Sequence, residues 1–114
     1  MGDEEVSRQF SALGQPSRLA IVRLLAQYGN EGLNVGEISA RINISGATLS
    51  HHLSHLTRCG LLVAVPSGRF IRYRFEPDAL SSLALILENR FSSLPIVDKT
   101  VPESRPSFAS MLLG

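Results

Sequence analysis

The chain has 114 residues, of which 44% are hydrophobic, enough apolar material for the core of one domain. No apolar run approaches the ~18 residues of a membrane-spanning helix, and the acidic start, MGDEEVSRQF, lacks the basic-then-apolar order of a secretory signal. A single cysteine excludes an intramolecular disulfide, so we expect a cytoplasmic protein without a membrane partner.

The net charge of +1 does not by itself indicate nucleic-acid binding, but the charges are distributed unevenly. No Asp or Glu occurs between positions 39 and 75. That middle segment contains all three histidines and the arginines Arg41, Arg58, Arg69, Arg72 and Arg74. A basic segment of this kind favours a polyanionic partner.

Apolar residues at helical spacing predict three helices in the first part of the chain. The first ends near Gly14, the second begins at Pro16 and ends by Gly29, and the third spans residues 35–42. Their apolar faces carry Val6, Phe10, Leu13, Leu19, Ile21, Val22, Leu24, Leu25, Ala26, Val35, Ile38 and Ile42, of which the last three are expected to face inward.

A fourth helix is predicted from about Gly46 to Arg58, with Ser45 as its N-cap and Gly60 as its stop. Because only a tight break separates it from the third helix, the pair has the helix-turn-helix pattern.

After Gly60 the apolar period changes from about 3.6 residues to about 2. The stretch LLVAVPSGRFIRYRF predicts a hairpin whose turn is Pro66-Ser67-Gly68. On its second strand, Arg72 and Arg74 share the outer face. The opposite face carries Ile71, Tyr73 and Phe75.

The segment EPDALSSLALILENRF predicts a last helix that begins at Pro77 or Asp78. It is apolar on more than one face, which favours a second copy of the chain as a partner. From Leu94 onward, prolines and serines predict a flexible tail, so we expect a domain over residues 1–93 and a tail over 94–114. The expected fold class is mainly α with a small β-hairpin.

Helical geometry, ~100° per residue, separates the side chains of the fourth helix. Leu49, Leu53 and Leu56 form a buried stripe, and His52 lies at its edge, where we expect a half-buried donor. The opposite face carries Ala47, His51, Ser54 and Arg58, flanked by Ser50 and His55. This acid-free face suits a helix that reads the major groove, although a solvated polar face is the alternative.

The stretches LGQPSRLAIVRLL, ISGATLSHHLSHLTRCGLL and GRFIRYRF occur in an order and spacing that resemble the ArsR/SmtB family of winged-helix repressors. The resemblance covers roughly residues 5–92. It implies a winged helix-turn-helix homodimer of order α1-α2-α3-α4-β1-β2-α5, joined through its first and last helices. It also implies binding to double-stranded operator DNA and release on a chemical signal.

By position, the resemblance implies DNA contacts from the fourth helix and the wing. Base or phosphate contacts are implied for Ser50, His51 and Ser54, with Thr48 and His55 on the flanks. For Arg69, at the wing tip, the resemblance implies a contact to the minor groove or the DNA backbone. Further phosphate contacts are implied for Arg72, Arg74, Arg41 and Arg58. For each arginine the alternative is a solvated side chain.

No metal site and no cofactor are expected. The family's C-V-C metal motif corresponds here to Asn34 and Gly36, and the last helix, residues 77–91, lacks the histidine of the second family site. His51 and His55 could share an ion at helical spacing, but they lack further ligands on that face.

Cys59 has two interpretations. It is either a small packed residue or a redox sensor whose pKa is lowered by the adjacent Arg58.

The leading hypothesis is a dimeric, sequence-specific transcriptional repressor that binds a pseudo-palindromic operator. The alternative is a winged-helix protein-interaction module without specific DNA binding. The sequence has no nucleophile with a spaced base and no phosphate-binding glycine loop, so an enzyme is not expected.

Overall fold

The computed structural model describes residues 2–91. In chain order its elements are α1 (Asp3–Leu13), α2 (Pro16–Ala26), a 3₁₀ turn (Gly29–Glu31), β1 (Leu33–Asn34), α3 (Val35–Arg41), α4 (Gly46–Arg58), β2 (Leu62–Ser67), β3 (Phe70–Phe75) and α5 (Pro77–Phe91). All five predicted helices are present. The helix-turn-helix is formed by α3 and α4, and the wing by β2 and β3, which confirms the predicted winged helix-turn-helix fold class.

The sheet contains one strand that the sequence did not predict. Its order is β1-β3-β2, with both neighbours antiparallel to β3. In β1, Leu33 pairs with Tyr73 and Asn34 with Arg72. The predicted element order therefore lacked a short strand before α3. Two residues are too few to show an alternating pattern, and they form a strand only because β3 offers a free edge.

The hairpin turn lies further along the chain than predicted. Ser67 pairs with Phe70, so the connection is the two-residue loop Gly68-Arg69, and the predicted turn Pro66-Ser67-Gly68 is wrong. Gly68 has a φ of 60°, as a two-residue hairpin loop favours. Pro66 belongs to β2, an edge strand, where a residue without an N–H is tolerated.

Local capping explains where α2 and α3 begin. The Gln15 side chain accepts from the Arg18 N–H at 2.8 Å, and Pro16 occupies the first helical position. At α3, Asn34 and Glu37 form a reciprocal capping box. Ser45 does hold the N-cap position of α4, but its hydroxyl donates to the Thr48 hydroxyl at 2.9 Å instead of accepting from a backbone N–H.

The core lies between α2, α4 and the sheet, with further residues from α1, α3 and α5. Its buried apolar members are Ala12, Ile21, Val22, Leu25, Leu33, Ile38, Leu49, Leu53, Leu56, Leu61, Leu62, Phe75, Ala79 and Leu83. The apolar face predicted for α1 packs only in part against the core, through Val6 and Leu13. Gln9 and Ala12 are buried, whereas Val6 and Leu13 are half-buried and Phe10 is 36% exposed. The small Ala12 side chain allows close packing, and the buried Gln9 amide donates to the carbonyl of Cys59, the C-cap of α4.

Helix α5 combines buried and exposed apolar residues. Ala79 and Leu83 are buried, but Leu85 is 56% exposed. Among residues 2–91, no helix is both long and apolar enough to cross a bilayer. The predicted domain boundary at residue 93 and the predicted tail, 94–114, lie outside the described residues.

Candidate nucleic-acid interface

Helix α4 is oriented by its buried leucine stripe. Leu49, Leu53 and Leu56 are fully buried, as predicted. The opposite face is therefore turned outward, and its exposed residues are Ala47, Thr48, Ser50, His51, Ser54 and Arg58. This surface offers hydroxyl, imidazole and guanidinium groups and no carboxylate, which suits contact with base edges and phosphates.

His52 differs from its prediction. It is only 8% exposed, and its Nδ1 has no hydrogen-bond partner among the described residues, whereas a half-buried donor was predicted. Burial, followed by the positive charges of Arg18 and His51, lowers the pKa of His52 below 6.5. The His52 imidazole is therefore neutral at pH 7, and it packs in the protein interior, where it is not available to a ligand.

His55 lies half-buried on the flank of the outer face. Burial lowers its pKa, and the nearby Arg18 and Arg58 guanidinium groups lower it further. This direction indicates positive potential around the C-terminal half of α4. Among residues 2–91, no three His, Cys, Asp or Glu side chains come together in a group that could hold a metal ion.

Three of the predicted DNA-binding arginines are engaged within the chain. Arg72 donates to the Glu31 and Gly32 carbonyls at 2.8 and 2.9 Å, and its Nη1 lies 3.3 Å from a Glu37 carboxylate oxygen. Arg74 pairs with Glu76 at 3.5 Å.

The third of these, Arg41 at the end of α3, contacts its own helix and Tyr28. It donates to the Glu37 carbonyl at 2.8 Å and to the Tyr28 hydroxyl at 3.0 Å, and its guanidinium lies 5.4 Å from the centre of the Tyr28 ring.

Arg58 and Arg69 differ from these three. Both are exposed, and within residues 2–91 neither makes a hydrogen bond or an ion pair. Arg58 ends α4, and Arg69 lies in the wing-tip loop. Their guanidinium groups are therefore available to phosphates without breaking a contact in the protein.

The Cys59 thiol is half-buried and donates to the Leu56 carbonyl at 3.4 Å. Burial raises the pKa of Cys59, against the opposing effects of backbone N–H groups and Arg18. Arg58, expected to lower this pKa, is not among the groups that act on it. This direction favours the interpretation of Cys59 as a small packed residue over that of a redox sensor.

Sequence reasoning missed two residues outside α4 that act on it or on its C-terminal end. The Gln9 amide donates to the Cys59 carbonyl at the end of α4 at 2.8 Å. Arg18 donates to the Ala12 carbonyl at 2.9 Å, and its charge acts on His52, His55 and Cys59. The Gln9 contact follows no local pattern, since Gln9 and Cys59 are 50 positions apart, whereas Arg18 and Ala12 are only six apart.

Comparisons with known proteins agree with this geometry. The family model for bacterial regulatory proteins of the arsR family matches residues 15–63, from the start of α2 into β2. The HTH-type transcriptional regulator YceK of Bacillus subtilis is 42% identical over 68 residues, which cover 59% of this chain and 67% of that protein.

Solved structures are similar over most of the chain. An ArsR-like transcriptional regulator from Rhodococcus sp. RHA1 has a TM-score of 0.69 and 29% identity, and the match covers 78% of this chain and 81% of that one. A homodimeric winged helix-turn-helix DNA-binding domain from Mycobacterium bovis, a possible ArsR-family regulator, has a TM-score of 0.63 and 30% identity, with 75% and 83% covered. These relatives are transcriptional regulators, not enzymes. This chain belongs to the arsR family of winged helix-turn-helix, DNA-binding transcriptional regulators.

Proposed function

We propose that the protein is a cytoplasmic, homodimeric repressor that binds a pseudo-palindromic operator and releases it on a chemical signal. The observation that carries the proposal is the outer face of α4, which is exposed, free of carboxylates and held outward by three fully buried leucines. A helix of this kind enters the major groove without repelling the phosphates.

In this proposal, base contacts come from the middle of α4. Ser50, His51 and Ser54 are exposed and offer short donors and acceptors, while Thr48 and half-buried His55 lie on the flanks. Because the Thr48 hydroxyl already accepts from Ser45, and His55 is partly covered, we rank these two below the other three.

Phosphate contacts come from Arg58 and Arg69, whose guanidinium groups have no partner in residues 2–91. We assign Arg72, Arg74 and Arg41 mainly structural roles, because their donors are directed at groups of the protein itself. This reduces the number of arginines that the sequence suggested for DNA binding.

Dimerisation is supported by exposed apolar residues on the first and last helices. Phe10 of α1 is 36% exposed and Leu85 of α5 is 56% exposed, so neither is covered by the chain's own core. The similar domain from Mycobacterium bovis is homodimeric. In a symmetric dimer, two copies of α4 would reach successive major grooves about 34 Å apart.

The dimer is tested with Leu85→Glu. The substitution places a charge in the proposed interface and leaves the buried Ala79 and Leu83 untouched. We expect a monomer by analytical ultracentrifugation, with helix content by circular dichroism unchanged. Identical sedimentation of the variant and the wild type would contradict this interface.

DNA recognition is tested by fluorescence anisotropy with the promoter region of the protein's own gene and with a scrambled duplex. His51→Ala is expected to weaken operator binding by about 1–3 kcal/mol and scrambled-duplex binding much less, because base contacts carry sequence information. Gln27→Ala, an exposed change at the end of α2, is the matched control. A monomer that binds neither duplex would favour a protein-interaction module.

A further inference from the structure

An open surface cavity of about 410 Å³ lies between α1 and the end of α4, and four of its six lining residues are exposed. It is lined by Ser7, Arg8 and Ser11 of α1, by His55 and Arg58 of α4, and by Cys59. Its volume is within the range of small-molecule sites, roughly 300–1,000 Å³. Arg8, Arg58 and Cys59 also line an adjoining cavity of about 250 Å³.

The donors around this cavity are those that bind oxyanions. Two guanidinium groups face it from different helices, together with two serine hydroxyls and one imidazole. Arg58 has no partner in the described part of the chain. Arg8 meets Glu4 at 3.5 Å, but these side chains are 68% and 92% exposed, so the pair is weak and readily exchanged.

The electrostatics also favour an anion. Arg18 and Arg58 lower the pKa of His55 in addition to the effect of burial, which indicates positive potential on the α4 side. Burial raises the pKa of the Cys59 thiol, so it brings no negative charge. The opposing carboxylates are Glu4, which pairs with Arg8, and Glu5, which lines the adjoining cavity.

We propose that this cavity is a binding site for a small oxyanion, carried by a phosphorylated, sulfated or carboxylated molecule, and that its occupation weakens operator binding. The guanidinium groups of Arg8 and Arg58 would hold the anion from both sides, with the Ser7 and Ser11 hydroxyls as further donors. The regulatory half of this proposal rests on the proposed operator binding, whereas anion binding by the free protein does not.

The position of the site explains how the anion would act. Arg58 is one of the two arginines that we assign to operator phosphates, so an anion in the cavity competes for the same guanidinium. The cavity also joins α1 to the end of α4, where Gln9 already donates to the Cys59 carbonyl at 2.8 Å. An anion between Arg8 and Arg58 would hold the end of α4 toward α1 and away from the DNA.

The first experiment measures binding of inorganic phosphate to the free protein by isothermal titration calorimetry, with ionic strength kept constant by chloride. We expect saturable binding, weakened roughly tenfold or more by Arg8→Ala, because a guanidinium–phosphate pair is lost. Glu4→Gln is expected to tighten binding, since it removes the competing carboxylate. Arg69→Ala at the wing tip is the matched control and is expected to bind like wild type.

The second experiment separates a free anion from an operator phosphate as the occupant. DNA binding is measured by anisotropy in phosphate and in chloride at equal ionic strength. We expect saturating phosphate to weaken binding by the wild type and to have no effect on Arg8→Ala.

The outcomes are distinct. Absence of saturable phosphate binding, or equal binding by Arg8→Ala, overturns the site. If Arg8→Ala and Arg58→Ala weaken DNA binding without any phosphate binding, the two arginines are contacts to the DNA backbone instead. Phosphate binding without an effect on DNA affinity overturns the regulatory half. If the protein binds phosphate but no DNA, the anion site is supported and the proposed function is contradicted.

Discussion

The base of the wing, where β1 pairs with β3 at Arg72 and Tyr73, and the tip of the wing each carry an arginine, but only the arginine at the base is bound by the protein. At the base, Arg72 donates to two backbone carbonyls and contacts Glu37. At the tip, three positions earlier, Arg69 lies exposed in a two-residue loop, with no partner within residues 2–91. The contrast shows that an arginine's availability to DNA depends on which carbonyls and carboxylates the fold brings to it.

The backbone differs between the two ends as well. Gly32 at the base has a φ of 62° and a ψ of −166°, a conformation that is essentially restricted to glycine. A Cβ on Gly32 would overlap the Tyr73 carbonyl, whereas a Cβ on Gly68 at the tip would meet no atom within 4 Å. The base is therefore a closely packed junction, and the tip is an open loop.

The largest effect is expected for Gly32→Ala. The added methyl group collides with β3 backbone, and the backbone conformation is strained, so the free energy of unfolding should fall by about 3 kcal/mol or more. Gly29→Ala is the control, because its φ of 56° is similar but the space around it is open. It should cost about 1 kcal/mol in urea denaturation. Equal losses in both variants would show that β1 does not pack against β3 as described.

Arg72→Ala should have the next largest effect. Two carbonyls lose a charged donor in a partly exposed site, so we expect a loss of about 1–2 kcal/mol in unfolding free energy. The control, Arg74→Ala, loses only a 3.5 Å pair with Glu76 and should change stability by less than about 0.5 kcal/mol. If Arg72→Ala instead keeps its stability and loses DNA affinity, the phosphate contact suggested by the sequence is right.

Arg69→Ala tests the tip. We expect unchanged melting temperature and weaker binding to every duplex by a similar factor, because phosphate contacts carry no sequence information. The slope of log affinity against log salt should become shallower by about 0.9 for each phosphate contact that is lost. An unchanged slope in anisotropy titrations would remove Arg69 from the interface.

The smallest effect is expected for Phe70→Ser. The Phe70 ring is 59% exposed beside the tip loop, so its loss should change unfolding free energy by less than about 0.5 kcal/mol. A larger loss in the same urea experiment would mean that the tip is packed in solution and would weaken the contrast with the base.

Much of the fold was predictable because its signals are local. Pro16, Gly14 and Gly60 mark helix ends, and apolar residues at helical spacing outline all five helices. The outward face of α4 followed from its three leucines alone, since a helix with one buried stripe has a determined orientation. The wing turn was misplaced by the Pro66-Ser67-Gly68 composition, because strand pairing, Ser67 with Phe70, decided the loop.

The sequence by itself determined which residues form α4 and which of its faces is apolar. It also determined that positions 39–75 contain no Asp or Glu. Only the tertiary structure decided that Arg72 is occupied while Arg69 has no partner within residues 2–91, that Gln9 reaches the end of α4, and that Arg8 and Arg58 face one cavity. The physical reason is the sequence separation over which each kind of interaction acts. Helical period and capping act over a few residues, whereas the bonds from Arg72 to Gly32 and from Gln9 to Cys59 join positions 40 and 50 residues apart.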